Sequence, residues 1–214
     1  MSTIRIPRKQ RFVMVGEPWR GYQRCLKFLG ERRNIRVTYD RGVLEVVTLT
    51  YEHERAAHIL TLLLGVWIVE RGVVARGGGS TTFSRRDLKR GLESDGCYWI
   101  ANQARLRNVT RIDLQRDPPP DLVVEIDVTN SSVPRMPIYS ALGVQEVWRL
   151  KGTALTFYLL QPDGSYLVTP VSQALTPLVP DALAQFLALS GELDDAAIIR
   201  QFTDWVRQLP PPTP

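Results

Sequence analysis

Residues 118–150 read PPPDLVVEIDVTNSSVPRMPIYSALGVQEVWRL, and the fold turns on how the apolar run inside them is buried. Residues 122–128 have strand length and β-branched enrichment, with prolines before them and Asn130 and Ser131 after, which predicts a central, buried strand. Successive strand side chains alternate between faces, so Leu122, Val124, Ile126 and Val128 share one face while Val123, Glu125 and Asp127 share the other. Two carboxylates therefore point the same way. Close like charges in a low-dielectric place are disfavoured by several kcal/mol unless a cation, a proton or an arginine offsets them. A positive group is expected on that face.

Working outward, residues 134–142 predict a short helix stopped by Gly143, and 144–150 a further strand. Residues 155–160 and 165–168 pair across the turn Pro162-Asp163-Gly164, and 181–189 and 192–208 read as two closing helices. Upstream, 22–33 has helical spacing with Leu26 and Leu29 on one face, and 35–39 with 43–47 form a hairpin around Asp40-Arg41-Gly42. Residues 51–71, capped by Thr50, make a long helix whose later turns are apolar nearly all round, so it should be buried against a sheet. Residues 73–76 and 80–83 read as strands joined by a hairpin turn at Gly77-Gly78-Gly79, followed by a basic loop into a strand at 97–100. The order predicts a mixed α/β fold with strands clustered around one long helix. Residues 1–20 read as an N-terminal arm, 21–170 as the main domain, 171–209 as its helical extension and 210–214 as a Pro-rich tail.

The 214 residues suit one domain, and a hydrophobic share of 44% with 23% charged residues argues against disorder or a fibrous class. The longest apolar run, 59–69, is too short to span a bilayer, and the first residues carry charges with no apolar signal core behind them. Cys25 and Cys97 form no metal-type spacing, so a cytoplasmic protein is the expectation. The net charge of +5 is unevenly placed, with eleven Lys or Arg against four acids in residues 1–50. A basic front half suits a polyanion such as nucleic acid.

Several signatures fail on inspection. His53 and His58 are five apart, not the four a zinc-protease helix needs, and they read as a helix-start polar residue and a packed side chain. The glycine run lacks the lysine of a phosphate loop, and there is no Gly-x-Ser-x-Gly elbow. What remains is a set of acids: Glu54, Asp95, Glu125 and Asp127. Hard divalent cations take such oxygen ligands, typically one or two carboxylates with phosphate oxygens and water.

The segments TYDRGVLE (38–45), Glu52-His53-Glu54, Glu93-Ser94-Asp95, PPPDLVVEIDVTNSS and IYSALGVQEVWRL together resemble the Uma-two family of restriction endonucleases, in the PD-(D/E)XK nuclease superfamily. The match runs in consistent order over residues 22–163. It implies a restriction-endonuclease-like core, a mixed central β-sheet flanked by helices, with magnesium or manganese held by Asp95 and Glu125. The carbonyl of Ile126 would be a backbone ligand and Glu54 a helix acid near the metal. The superfamily's lysine ordinarily lies two residues after the glutamate, where this chain has Asp127; in similar relatives it opens the following helix, where this chain has Arg135. Arginine stays protonated, so it stabilises charge and is a poor proton acceptor. The resemblance implies a DNA substrate and a homodimer, with the basic segment 85–90 tracking the nucleic-acid backbone. Two further readings stay open: a nuclease-fold protein with weakened chemistry, serving as a nucleic-acid-binding or dimerising module, and a small-molecule metal hydrolase.

Overall fold

The computed structural model describes residues 10–30, 34–127 and 133–211. In chain order the elements are β1 (Arg11–Val15), α1 (Trp19–Leu29), β2 (Ile35–Asp40), β3 (Val43–Thr48), α2 (Tyr51–Glu70), β4 (Arg76–Gly77), β5 (Thr82–Arg85), β6 (Arg90–Glu93) and β7 (Gly96–Trp99). Then come β8 (Leu122–Asp127), α3 (Met136–Leu142), β9 (Glu146–Lys151), β10 (Ala154–Leu160), β11 (Tyr166–Thr169), α4 (Pro180–Ala188) and α5 (Asp195–Gln208). Val128, expected to end the central strand, lies outside the described residues, as does the predicted end of the first helix at 31–33.

The fold is mixed α/β, but its strands divide into two sheets instead of clustering around one helix. The first is antiparallel in the order β1-β3-β2-β6-β5; the second runs β11-β10-β9-β8-β7-β4 and is parallel only between β8 and β9. That parallel pair is joined through α3, which crosses one face of the second sheet.

The parity of β8 decides what each face meets. Leu122, Val124 and Ile126 pack, with Trp148 and Phe157, against Leu60, Leu63, Leu64 and Trp67 of α2 and against α4 and α5. Trp148 and Phe157 stack with ring centroids 4.0 Å apart. Val123 on the opposite face meets Ile138, Tyr139 and Leu142 of α3 together with Phe83 and Leu92 of the first sheet. The mixed sheet is thus flanked by helices, and α2 is buried against it as its apolar pattern requires, with the Thr50 hydroxyl accepting from the His53 amide.

Three local expectations change. Residues 11–15, read as part of an arm, form edge strand β1, paired with β3 from Arg11↔Val47 to Val15↔Val43 and exposed throughout. The glycine run does not close a hairpin: β4 pairs with β7 in one sheet and β5 with β6 in the other, so the run is a crossover between sheets. The middle of the basic loop is strand β6, reached through a turn with Lys89 at φ 51°. Between β2 and β3, Arg41 (φ 45°) and Gly42 (φ 103°) have the paired positive φ values that a two-residue turn needs to match strand twist. Among the described residues no helix is long and apolar enough to cross a membrane.

The crossover fixes one testable position. A Cβ on Gly78 would sit 2.6 Å from Cys97 Sγ and 2.9 Å from the Trp99 ring, both within the buried β7. Gly78→Val is expected to lower stability by about 1–3 kcal/mol through overpacking, measured by urea denaturation, with Gly191→Val, whose Cβ would meet open space, as the comparison.

Candidate active site

Asp95 stands at the entry to β7, where its backbone N–H donates to the Val124 carbonyl at 3.3 Å. Its side chain continues the β7–β8 ladder by accepting the Ile126 N–H at 2.8 Å on Oδ2. The same oxygen lies 3.1 Å from His53 Nε2 in the first turn of α2, and Oδ1 accepts from Arg36 Nε of β2 at 3.2 Å. One buried carboxylate thereby ties the first sheet, the second sheet and α2 together. Burial alone would raise its pKa, but the hydrogen bond and charge of His53, with Arg135 and Arg36, hold it below the ordinary carboxylate value. Burial likewise pulls the His53 imidazole down, and its hydrogen bond to Asp95 outweighs this, leaving it raised.

Glu125 projects from the α3 side of β8. Arg135, the residue before α3, reaches it through Nη2–H···Oε1 at 2.9 Å and an Nε–Oε2 contact of 2.8 Å. Tyr139, four residues further along, donates its hydroxyl to Oε1, and Arg135 Nη2 also donates to the Glu93 carbonyl. Burial raises the pKa of Glu125, opposed by Arg135 and reinforced by the negative charge of Asp95. Asp127, two residues on, accepts from Arg149 Nη2 on the parallel neighbour β9.

These groups line one cleft of about 320 Å³ between the two sheets. Across it Glu45 of β3 pairs with Arg11 of β1, Nε to Oε1 at 3.4 Å. Four carboxylates reach the cleft, and each contacts an arginine: Glu45 with Arg11, Asp95 with Arg36, which also lies 3.8 Å from Glu93, Glu125 with Arg135 and Asp127 with Arg149. The expectation that arginine or another positive group offsets the acids of β8 is met twice over.

Asp95, Glu125, Ile126, Asp127 and Arg135 all line this cleft, and Glu54 does not. Its side chain is half exposed, with Oε1 3.4 Å from His53 Nδ1, so it meets the site only through that ring. His53, read as a helix-start polar residue, is instead a direct partner of Asp95, while His58 is an exposed partner of Asp195 at 2.9 Å. The sequence reading missed Arg11, Arg36, Glu45, Tyr139 and Arg149. A signal existed in part, since Arg36 and Thr38 alternate with the apolar Val37 and Tyr39 along β2.

The donor types fit a hard divalent cation: the carboxylates of Asp95 and Glu125 line one cleft, with Ile126 on the same strand as Glu125. Their oxygens already carry N–H and O–H donors, and among the described residues no three His, Cys, Asp or Glu side chains converge as a metal cluster. An ion would therefore share or displace the arginine contacts.

The sequence profile described as "Uma2: Putative restriction endonuclease" matches residues 19–190. The chain belongs to the Uma2 family. The match spans both sheets except β1, with α2 and α3, and therefore the whole cleft apart from Arg11. A crystal structure titled as a putative nuclease belonging to DUF820 from Anabaena variabilis ATCC 29413 is similar at 13% identity and TM-score 0.47, covering 88% of this chain and 98% of that one. No curated protein matches.

Removing one partner of a buried pair strands the other charge. Glu125→Gln is expected to cost about 3–5 kcal/mol, and Glu125→Gln/Arg135→Met substantially less than the sum of the two single changes. A double-mutant cycle by urea denaturation measures this coupling.

Proposed function

We propose that this Uma2 protein is a divalent-metal-dependent endonuclease that hydrolyses phosphodiester bonds, with DNA as substrate. The observation that carries the proposal is the meeting of Asp95, Glu125 and Ile126 in one cleft of a chain whose family is described as nuclease. Asp95, Glu125 and the Ile126 carbonyl would hold magnesium or manganese. Such an ion, when bound, lowers the pKa of a coordinated water and offsets charge on the scissile phosphate.

The chain's own residues divide the remaining tasks. His53 and Arg36 orient Asp95 by fixing one carboxylate oxygen each. The planar guanidinium of Arg135 suits two phosphate oxygens at once and keeps its proton, so it stabilises developing negative charge. Asp127, held by Arg149, lines the same cleft and would orient the attacking water. Glu54 acts at most through His53.

Backbone contacts fall to the basic corner where the β2–β3 and β5–β6 turns meet. There Arg20, Arg41, Arg86 and Lys89 surround a surface pocket beside Trp19. Within the segment 85–90, Arg85 is bound to Asp87 and Arg90 to Asp40, which leaves Arg86 and Lys89 for phosphates.

A second reading, a nucleic-acid-binding protein of this fold without efficient chemistry, is favoured by the arginine on every cleft carboxylate. Its signature would be DNA binding with no cleavage in magnesium or manganese.

Plasmid and linear DNA cleavage with each metal tests the first reading. Activity in the wild type and its loss in Asp95→Asn are expected; equal cleavage by both, or none with any divalent metal, overturns it. Separately, Arg86→Ala/Lys89→Ala is expected to weaken DNA binding similarly across sequences and to reduce the salt slope by about 2, read by fluorescence anisotropy over a salt series.

A further inference from the structure

We propose that Arg135 is an internal counter-ion at Glu125, standing where a divalent cation's charge would otherwise act, so that metal and Arg135 compete for one carboxylate. The inference rests on the assignment of Asp95 and Glu125 as metal ligands and adds what holds them when no ion is present.

The geometry is that of an occupied site. An ionised carboxylate offers about four lone-pair positions. At Glu125, Oε1 takes the Tyr139 hydroxyl and Arg135 Nη2, and Oε2 lies 2.8 Å from Arg135 Nε. Only 8% of the Glu125 side chain and 19% of the Arg135 side chain are exposed, so water contributes little to neutralising either. Arg135 is held on its far side as well, through the Glu93 carbonyl of β6. This is a buried pair with one hydrogen bond, a second close charge contact and a third anchor, unlike a surface ion pair that forms and breaks freely.

The wider cleft repeats the pattern. Glu45, Asp95 and Asp127 also contact guanidinium groups, those of Arg11, Arg36 and Arg149, and Arg36 is shared with Glu93 at 3.8 Å. Every carboxylate of the cleft thus has an arginine contact before any ion is counted. A lysine at position 135 would hold Glu125 less firmly, because its ammonium is a compact, strongly hydrated point charge on a flexible stem.

Two consequences follow. The cleft is stable without metal, so chelators should leave thermal stability unchanged. The ion binds only the fraction of molecules in which Arg135 has left Glu125, and the apparent Kd is raised by the reciprocal of that fraction. Release of Arg135 also frees the guanidinium for a phosphate, which couples metal entry to substrate contact.

Manganese binding to the chelator-treated full chain tests this by calorimetry and by the electron paramagnetic resonance signal of free ion. Arg135→Gln removes the charge and should bind manganese at least tenfold more tightly than the wild type. It should also be less stable than the wild type in chelator and recover on manganese addition. Arg149→Gln, which frees Asp127 instead, should show no comparable gain. If Arg135→Gln does not fold without metal, Arg135→Lys supplies the comparison, with a smaller gain expected from losing the guanidinium that bonds both Glu125 and the Glu93 carbonyl. Equal manganese affinity in wild type and both position-135 variants overturns the counter-ion role while leaving the metal site standing. Absence of binding in every variant, the Lys and Gln forms included, overturns the metal site and this inference with it.

Discussion

A carboxylate buried on the face of a central strand needs a positive partner in contact with it, and Glu125 of β8 imposes that demand on everything around it. Strand parity gives no freedom: with Leu122, Val124 and Ile126 committed to the helical layer, Glu125 must face α3 and the first sheet. The entry to α3 answers with Arg135 and, one helical turn on, Tyr139. The position of α3 is thus set by apolar packing through Ile138 and Leu142 and by an electrostatic requirement that the same helix must satisfy.

Asp95 meets the corresponding demand differently. Its partners come from three elements, β2, α2 and β8, so the carboxylate serves as a polar junction between layers that otherwise meet through apolar contacts. Breaking such a junction costs more than its pairwise contacts suggest, because each donor left behind is itself buried. The two acids assigned to one chemical task therefore have unlike surroundings: Asp95 is held ionised by several donors, while Glu125 is raised by burial and by its neighbour's charge.

Much of this was legible in the sequence. The period of residues 122–128 gave the faces of β8 and the need for a cation, and the length of 51–71 with Thr50 before it gave α2 and its buried state. Asp95, Glu125, Asp127 and Arg135 meet in one cleft, as their resemblance to a family motif implied. The identity of the other partners was not legible, because Arg36 and Asp95 are 59 residues apart and sit in different sheets, and no local period encodes such a distance. Edge strand β1 escaped for a related reason: exposed on both faces, RFVMV has no alternation to betray it. Strand β6 hid inside a basic run because its turn places positive φ on Lys89, a residue with no turn preference. Glu54, which the resemblance implied as a helix acid near the metal, lies outside the cleft, since its neighbour His53 turns toward Asp95 while Glu54 turns outward.

The sequence separations of the four cleft pairs also order their assembly. Glu125 and Arg135 are ten residues apart and Asp127 and Arg149 twenty-two, so both close within a single strand–helix–strand unit at little cost in chain entropy. The Asp95–Arg36 pair spans two sheets and can close only after they dock. The Glu125 and Asp127 pairs are therefore local products of β8, α3 and β9, the Glu45–Arg11 pair is internal to the first sheet, and the Asp95–Arg36 pair alone awaits tertiary association. The second sheet with α3 thus holds the Glu125–Arg135 pair by itself, and the first sheet adds the Glu93 carbonyl and the opposite wall of the cleft.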